Sequence, residues 1–299
     1  MSLCLPPRLC ATSISLVLAL CLVGSCTTPS GSNVGTPGTS RAGAALSTSS
    51  SSPSPPDVAR RTQTFSVLTY NLYVGNAELA ADARLLRELD ATVVCLQETI
   101  PESQSVLQKE LAATYPYRAF HIGSVGNGPG VMSKVPFREA RYVASSGGFN
   151  GYWVARFEIH GRTVQVVNVH LHPTTVSRFS LRGVLSGWAA SEGVRRAEVD
   201  EIAGLLRSRS PVILAGDFNS MSRATTYDRV VHHGFTDSFS EGSAPRRGTP
   251  TFRGRVGGFR VPVRIDYVFR RGALRAVHTR VIQRGASDHH PVMVVFELS

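Results

Sequence analysis

The residues from Thr64 to Ser299 predict a mixed-sheet α/β domain, not a doubly wound parallel one. Three observations carry this. Short β-branched runs alternate with helix-spaced apolar residues along the whole segment. Two of those runs flank His160-Gly161 as an antiparallel hairpin. The patterned stretch, about 235 residues, suffices for one large domain with a sizeable core.

Phe65-Ser66-Val67-Leu68-Thr69-Tyr70 is β-rich and reads as the entry strand. Glu78–Leu89 has helical spacing, with Leu79, Ala83, Leu86 and Leu89 on one side. Thr92–Leu96 is a short strand of buried type, and Pro101–Ala113 is a helix with proline in its first turn. Tyr152–Ile159 and Thr163–Val169 form the hairpin arms. The segment Pro173–Ala190, with Phe179, Leu181, Leu185 and Trp188, reads as core packing ahead of a lid or a lipid-contacting edge. Exposure of Trp153, Phe149 or Trp188 would favour the lipid edge. Ser191–Arg207 is an amphipathic helix carrying Val194, Ile202, Leu205 and Leu206. Strands at Pro211–Ala215, Arg264–Phe269, Leu274–Ile282 and Pro291–Leu298 complete the set.

The N-terminal part is different material. Arg8 precedes an apolar run from Leu9 to Val23, too short to span a bilayer comfortably, which ends in Val23-Gly24-Ser25-Cys26. Those last four residues resemble a bacterial lipobox, which implies a signal peptide over 1–25 and a lipidated Cys26. An ordinary secretory signal and an uncleaved anchor helix are the alternatives. Residues 27–63 are dominated by Ser, Thr, Pro and Gly and bury too little to offset their ordering entropy. They read as a disordered tether with a reach of roughly 30–35 Å. Of five cysteines, Cys4, Cys10 and Cys21 lie in the leader and Cys26 at its end, so Cys95 alone enters the domain. An intrachain disulfide is then excluded, and Cys95, inside an apolar run, reads as a buried, inert thiol.

Composition is that of a folded protein, 42% hydrophobic and 18% charged, with a basic excess of +11. Polar residues able to hold a metal or move a proton recur at the predicted strand ends. Asn71 follows the first strand, Gln97-Glu98 the second, and Asn168 and His170 close the hairpin. Asp217 and Asn219 follow Val212-Ile213-Leu214 within Gly216-Asp217-Phe218-Asn219. Asp266 lies inside Arg264-Ile265-Asp266-Tyr267, and Ser287-Asp288-His289-His290 leads into the last strand. An acid inside an apolar strand is expensive unless paired or metal-bound. Singly, each signal has an ordinary explanation: an Asx turn, a helix cap, a solvated strand end. Their joint occurrence at strand ends does not.

Tyr70-Asn71, Gln97-Glu98, Asn168-Val169-His170, Gly216-Asp217-Phe218-Asn219, Arg264-Ile265-Asp266-Tyr267 and Ser287-Asp288-His289 resemble the endonuclease/exonuclease/phosphatase superfamily. Its members include pancreatic-type deoxyribonuclease, exonuclease III-like repair nucleases, inositol polyphosphate 5-phosphatases and neutral sphingomyelinases. The resemblance covers 64–299 and implies a four-layered sandwich: two packed mixed β-sheets flanked by helices, with the site at one rim. It implies Glu98 as the principal metal carboxylate, with Asn71 and Asp288 close to the same ion. Hard oxygen donors suit Mg2+, with Mn2+ or Ca2+ able to replace it. His289 would act as general base or orient the attacking water, with Asp266 on its other ring nitrogen. Asp217 would position the nucleophile, and Asn219 and His170 would donate to phosphate oxygens; His170 could instead protonate the leaving oxygen. One departure is Tyr73, where some repair nucleases of the family carry a second acid. His172 and His290 read as supporting residues before catalytic ones.

Nine arginines (Arg246, Arg247, Arg253, Arg255, Arg260, Arg264, Arg270, Arg271 and Arg275) fall in a segment whose one acid is Asp266. They suggest a loop beside the site that grips polyanion, nucleic acid ahead of phospholipid. The expectation is a monomeric, membrane-anchored, extracytoplasmic nuclease of the phosphodiesterase type. A sphingomyelinase-like lipid phosphodiesterase, an inositol-phosphate phosphatase and an inactive surface-binding lipoprotein are the alternatives.

Overall fold

The computed structural model describes residues 63–298, apart from 124–125, 148–149, 175–180, 207–209, 257–258 and 261. The leader, Cys26 and the tether up to Thr62 lie outside the described residues, as do Phe149 and Phe179.

Fourteen strands and four α-helices follow in order among the described residues. They are β1 (Thr64–Asn71), α1 (Leu79–Leu89), β2 (Val93–Thr99), α2 (Pro101–Leu111), β3 (Tyr117–Phe120), β4 (Gly128–Ser133) and β5 (Phe137–Val143). Next come β6 (Tyr152–Ile159), β7 (Arg162–His170), α3 (Leu181–Leu205), β8 (Val212–Asp217), α4 (Thr225–His232) and β9 (Thr236–Asp237). The last are β10 (Arg255–Val256), β11 (Phe259–Arg260), β12 (Asp266–Arg271), β13 (Leu274–Val281) and β14 (Val292–Leu298).

Two six-stranded sheets result, ordered β13-β14-β1-β2-β4-β3 and β5-β6-β7-β8-β12-β9. Each is mixed: β1 with β2 and β7 with β8 run parallel, and the remaining neighbours are antiparallel. The period-two alternation of each strand sorts its side chains between two faces. Phe65, Val67, Val93 and Cys95 meet Phe157, Val166, Ile213 and Val268 between the sheets. Leu68, Val94 and Leu96 point the other way, onto Leu86, Leu107 and Leu111 of α1 and α2. Val167, Leu214 and Phe269 cover the outer face of the second sheet, under Val199, Ile202 and Val230 of α3 and α4. This is the four-layered sandwich. The His160-Gly161 turn closes β6 and β7 with both residues at positive φ, the geometry that matches strand twist.

The structure departs from the sequence reading where local pattern misleads. Strands β3, β4 and β5 come from a region where sequence assigned no element. Gly128-Pro129-Gly130 resembles a turn, yet β4 is buried along its whole length because β2 and β3 pair with it on either side. Helix α3 begins at Leu181, ten residues before the expected start at Ser191. Its inward stripe is Glu192, Arg195, Glu198, Val199 and Ile202, whereas Leu205 is exposed. Charged residues neutralise one another on that face: Arg195 Nη2 donates to Glu192 Oε1 at 2.9 Å, so hydropathy spacing alone could not find the stripe. Cys95 is buried and free, and burial pushes its thiol well up, as an inert core thiol requires.

Candidate active site

The site lies where the strand ends of both sheets converge. At the end of β8, Gly216 is obligatory: a Cβ there would stand 1.9 Å from the Val169 carbonyl of β7. That close approach sets Asp217 beside His170 in the parallel register and opposite Asp266 in the antiparallel one. Three strands thus deliver an acid, an imidazole and a second acid to one spot.

Asp217 Oδ2 is the hub. Asn71 Nδ2 donates to it at 3.0 Å and to Glu98 Oε1 at 3.0 Å. His170 Nε2 stands 3.7 Å from Asp217 Oδ2 and 3.9 Å from Glu98 Oε1. His289 Nε2 lies 3.7 Å from the same Asp217 oxygen, while its Nδ1 is 2.9 Å from Asp266 Oδ2. Asn219 N–H caps Asp217 Oδ1 at 2.8 Å, and its side-chain amide donates to the Leu171 carbonyl at 3.0 Å, leaving one amide hydrogen for a ligand. Glu98 sits at φ 55°, a cost that a side chain of its type tolerates mainly where the surroundings impose it, and Asn219 at 49°, a left-handed conformation that asparagine adopts readily.

Asp288 flanks this group, half-buried, with Ser287 Oγ 3.4 Å from its Oδ1. Burial raises its pKa; His289 opposes that shift, while Glu98 and Asp266 add to it. Asp217 is likewise raised by burial, against the pull of His289 and with Asp266 reinforcing it. For His289, burial disfavours the cation, but Asp266 and Asp217 outweigh it and push the imidazole up to about 10.

Seven of the eight predicted residues are joined through direct contacts of 4 Å or less, and Asp288 couples to them through its charge. Asn71 presents its amide nitrogen to Glu98, its oxygen being taken by the Tyr73 N–H at 3.0 Å. It clamps the carboxylate in place. The donor set fits a hard divalent cation: the carboxylates of Glu98, Asp217 and Asp266 meet two imidazoles, a surplus of negative charge in a largely buried place. Among the described residues, Asp217, Asp266 and His289 form the group whose ligand atoms all lie within 4.8 Å of one another.

Supporting residues complete the site, and sequence reasoning missed most of them. Ser287 Oγ donates to the Asn71 carbonyl at 2.7 Å and accepts the His289 N–H at 3.0 Å, stitching the last loop to β1. Buried Asp82 accepts from Tyr70 Oη, Asn76 Nδ2 and the Ala286 N–H, holding the same loop from below. Its signal was present: an acid on the apolar side of α1, beside Ala83 and three residues after Leu79. Gln97 and Asn168 act as a rivet between the sheets. Gln97 Nε2 donates to Asn168 Oδ1 at 2.7 Å, and Asn168 Nδ2 donates to the Leu96 and Gly130 carbonyls. The backbone N–H and C=O of His172 engage Glu198 and Arg195, and burial lowers its pKa. The His290 N–H is bonded to the Thr251 carbonyl.

Four of the nine clustered arginines are engaged within the fold. Arg264 is buried, paired with Asp237 at 2.7 Å and stacked on Phe239 and Tyr267. Arg270 pairs with Glu241, and Arg275 pairs with Glu297. Arg271 donates to the His233 and Leu206 carbonyls and stacks on Phe235. The Arg255 side chain lies outside the described part; Arg246, Arg247, Arg253 and Arg260 remain exposed. Trp153 and Trp188 are half-buried, and Trp153 Nε1 donates to the Pro129 carbonyl at 2.9 Å.

Comparison with known proteins bears on the whole domain. The model of the Endonuclease/Exonuclease/phosphatase family matches residues 68–289. A UPF0294 protein of Yersinia pseudotuberculosis is 33% identical over 146 residues, 48% of this chain and 47% of that protein. The chain therefore spans about half the length of the curated relatives it matches. An endonuclease/exonuclease/phosphatase structure from Beutenbergia cavernae superposes with a TM-score of 0.63 at 23% identity, covering 79% of this chain and 72% of that one. Humanized D. rerio TDP2 superposes with a TM-score of 0.60 at 20% identity, covering 79% and 99%. At these identities the two structures speak to the fold.

Proposed function

The chain belongs to the endonuclease/exonuclease/phosphatase family, and from that premise we propose that it is a divalent-metal-dependent phosphodiesterase acting on nucleic acid outside the cytoplasm. The observation that carries the reading is His289 held between Asp266 and Asp217, within one contact network of Glu98, Asn71 and His170. A phosphodiester is an anion that repels hydroxide, so a site for its hydrolysis must neutralise charge and align water with the leaving group.

Glu98 and Asp288, with Asn71 fixing Glu98, would hold Mg2+, with Mn2+ or Ca2+ able to replace it. When bound, the ion supplies Lewis-acid polarisation of a phosphate oxygen. His289 orients the attacking water through Nε2, with Asp266 fixing the ring at Nδ1. Asp217, the shared acceptor, positions that water. The spare amide hydrogen of Asn219 and His170 Nε2 face the phosphate oxygens. The lipobox-like Val23-Gly24-Ser25-Cys26 and the tether after it support an enzyme anchored to the cell envelope through lipid on Cys26.

The test is a substrate panel. The protein is incubated with DNA, RNA, sphingomyelin and inositol phosphates in Mg2+ and then in chelator. Cleavage of nucleic acid that stops with chelator is the expected result. Metal-independent cleavage, or no cleavage of any phosphoester, contradicts the proposal. Turnover confined to sphingomyelin or inositol phosphates moves the substrate to that class. Binding without turnover makes the chain a surface-binding lipoprotein.

A further inference from the structure

Tyr73 occupies the position where some repair nucleases of the family carry a second acid, and the residue is 42% exposed at the mouth of the site. Its φ of 61° is costly for a residue of this type. The conformation is held from the catalytic side: the Tyr73 N–H donates to Asn71 Oδ1, and the next N–H, of Val74, donates to Glu98 Oε2, each at 3.0 Å. The Tyr73 ring lies back against Gly75, where a Cβ would stand 2.8 Å from it. The backbone that carries this exposed aromatic is thereby held against Glu98.

Beside it opens a cleft of about 350 Å3 lined by Tyr73, Arg253, Arg260, Ala286, Ser287 and Asp288. Arg253 is tied down there, its Nε donating to the Ser287 carbonyl and its Nη2 to the Gly285 and Ser287 carbonyls. Unlike Arg264, Arg270 and Arg275, neither Arg253 nor Arg260 has a carboxylate partner among the described residues. The cleft thus joins a flat aromatic surface to two uncompensated guanidinium groups, and it opens onto Asp288 next to His289.

We propose that this cleft is a second subsite that takes the nucleotide flanking the scissile phosphate, its base against Tyr73 and its phosphate against Arg260 and Arg253. The proposal rests on the nuclease reading above and deepens it. Two guanidinium groups disfavour the quaternary ammonium of a choline headgroup, and an inositol polyphosphate makes no use of a stacking surface. A nucleotide uses both.

The experiment uses the full chain with Mg2+, a single-stranded oligonucleotide carrying 2-aminopurine, and p-nitrophenyl methyl phosphate as a diester without a base. Wild type is expected to quench the 2-aminopurine on binding. Tyr73→Ala loses the quench and raises the ratio of the oligonucleotide KM to the simple-diester KM by roughly tenfold, while Tyr73→Phe keeps both near wild type. Arg260→Ala makes the oligonucleotide KM less sensitive to salt. An unchanged ratio in Tyr73→Ala, or no quench with wild type, overturns the subsite. Quenching without cleavage overturns the nuclease reading and leaves the subsite standing.

Discussion

Asp266 stands directly opposite Asp217 across the antiparallel pair of β12 and β8, and His289 reaches both, 2.9 Å from one carboxylate and 3.7 Å from the other. Like charges facing each other across a sheet repel. Here the imidazolium between them relieves the repulsion, and the same contact raises His289 to about 10.

Asp266→Asn keeps the shape and removes the nearer charge. Activity should fall by about 10²–10⁴-fold, the range for losing a positioned proton-transfer group. The His289 limb of the pH–rate profile should move to lower pH, because the carboxylate that most stabilises the cation is gone. Steady-state rates against pH check this; an unmoved limb separates His289 from Asp266.

Arg264 and Arg260 should behave as different kinds of residue despite their proximity in sequence. Arg264→Ala strips a buried partner from Asp237 and a cation from between Phe239 and Tyr267. It should cost about 3–5 kcal/mol in urea unfolding while the folded fraction binds oligonucleotide as before. Arg260→Ala should do the reverse.

Glu198, buried on α3, accepts the His172 N–H at 2.8 Å, and burial raises its pKa to about 7. A carboxyl with a raised folded pKa binds its proton more tightly in the folded state. Its penalty is absent at pH 4 and grows as pH climbs from the unfolded value toward 7, by about 3 kcal/mol in total. Glu198→Gln should flatten the fall in urea midpoint between pH 5 and pH 8 and be the more stable protein at pH 8. Parallel curves for the two proteins would contradict this.

Cys26→Ser removes the thiol that the lipobox reading places under lipid. The variant should leave the membrane fraction for the soluble one on cell fractionation. Retention on membranes contradicts the anchor.

The strands that carry chemistry were legible because each combined a short β-branched run with a polar terminus, as at Val212–Asp217 and Asp266–Arg271. The hairpin was legible because His160-Gly161 breaks two alternating runs. Strand β4 was hidden, since Gly128-Pro129-Gly130 is a strand only through pairing with residues distant in sequence. The buried face of α3 was hidden for another reason: Glu192 and Arg195 cancel each other's burial cost, and neither looks apolar. Within the arginine cluster, the partners of Arg264, Arg270 and Arg275 were hidden because Asp237, Glu241 and Glu297 lie outside the window that made it look uncompensated.

The central claim is that Glu98 holds a divalent cation at the Asp217 rim for phosphodiester hydrolysis. It is tested most directly by the Mg2+ concentration giving half-maximal cleavage in wild type and Glu98→Gln. The account predicts a rise of about tenfold or more in the variant, with Mg2+ required by both. Equal Mg2+ dependence in the two proteins, or activity in chelator, would contradict it.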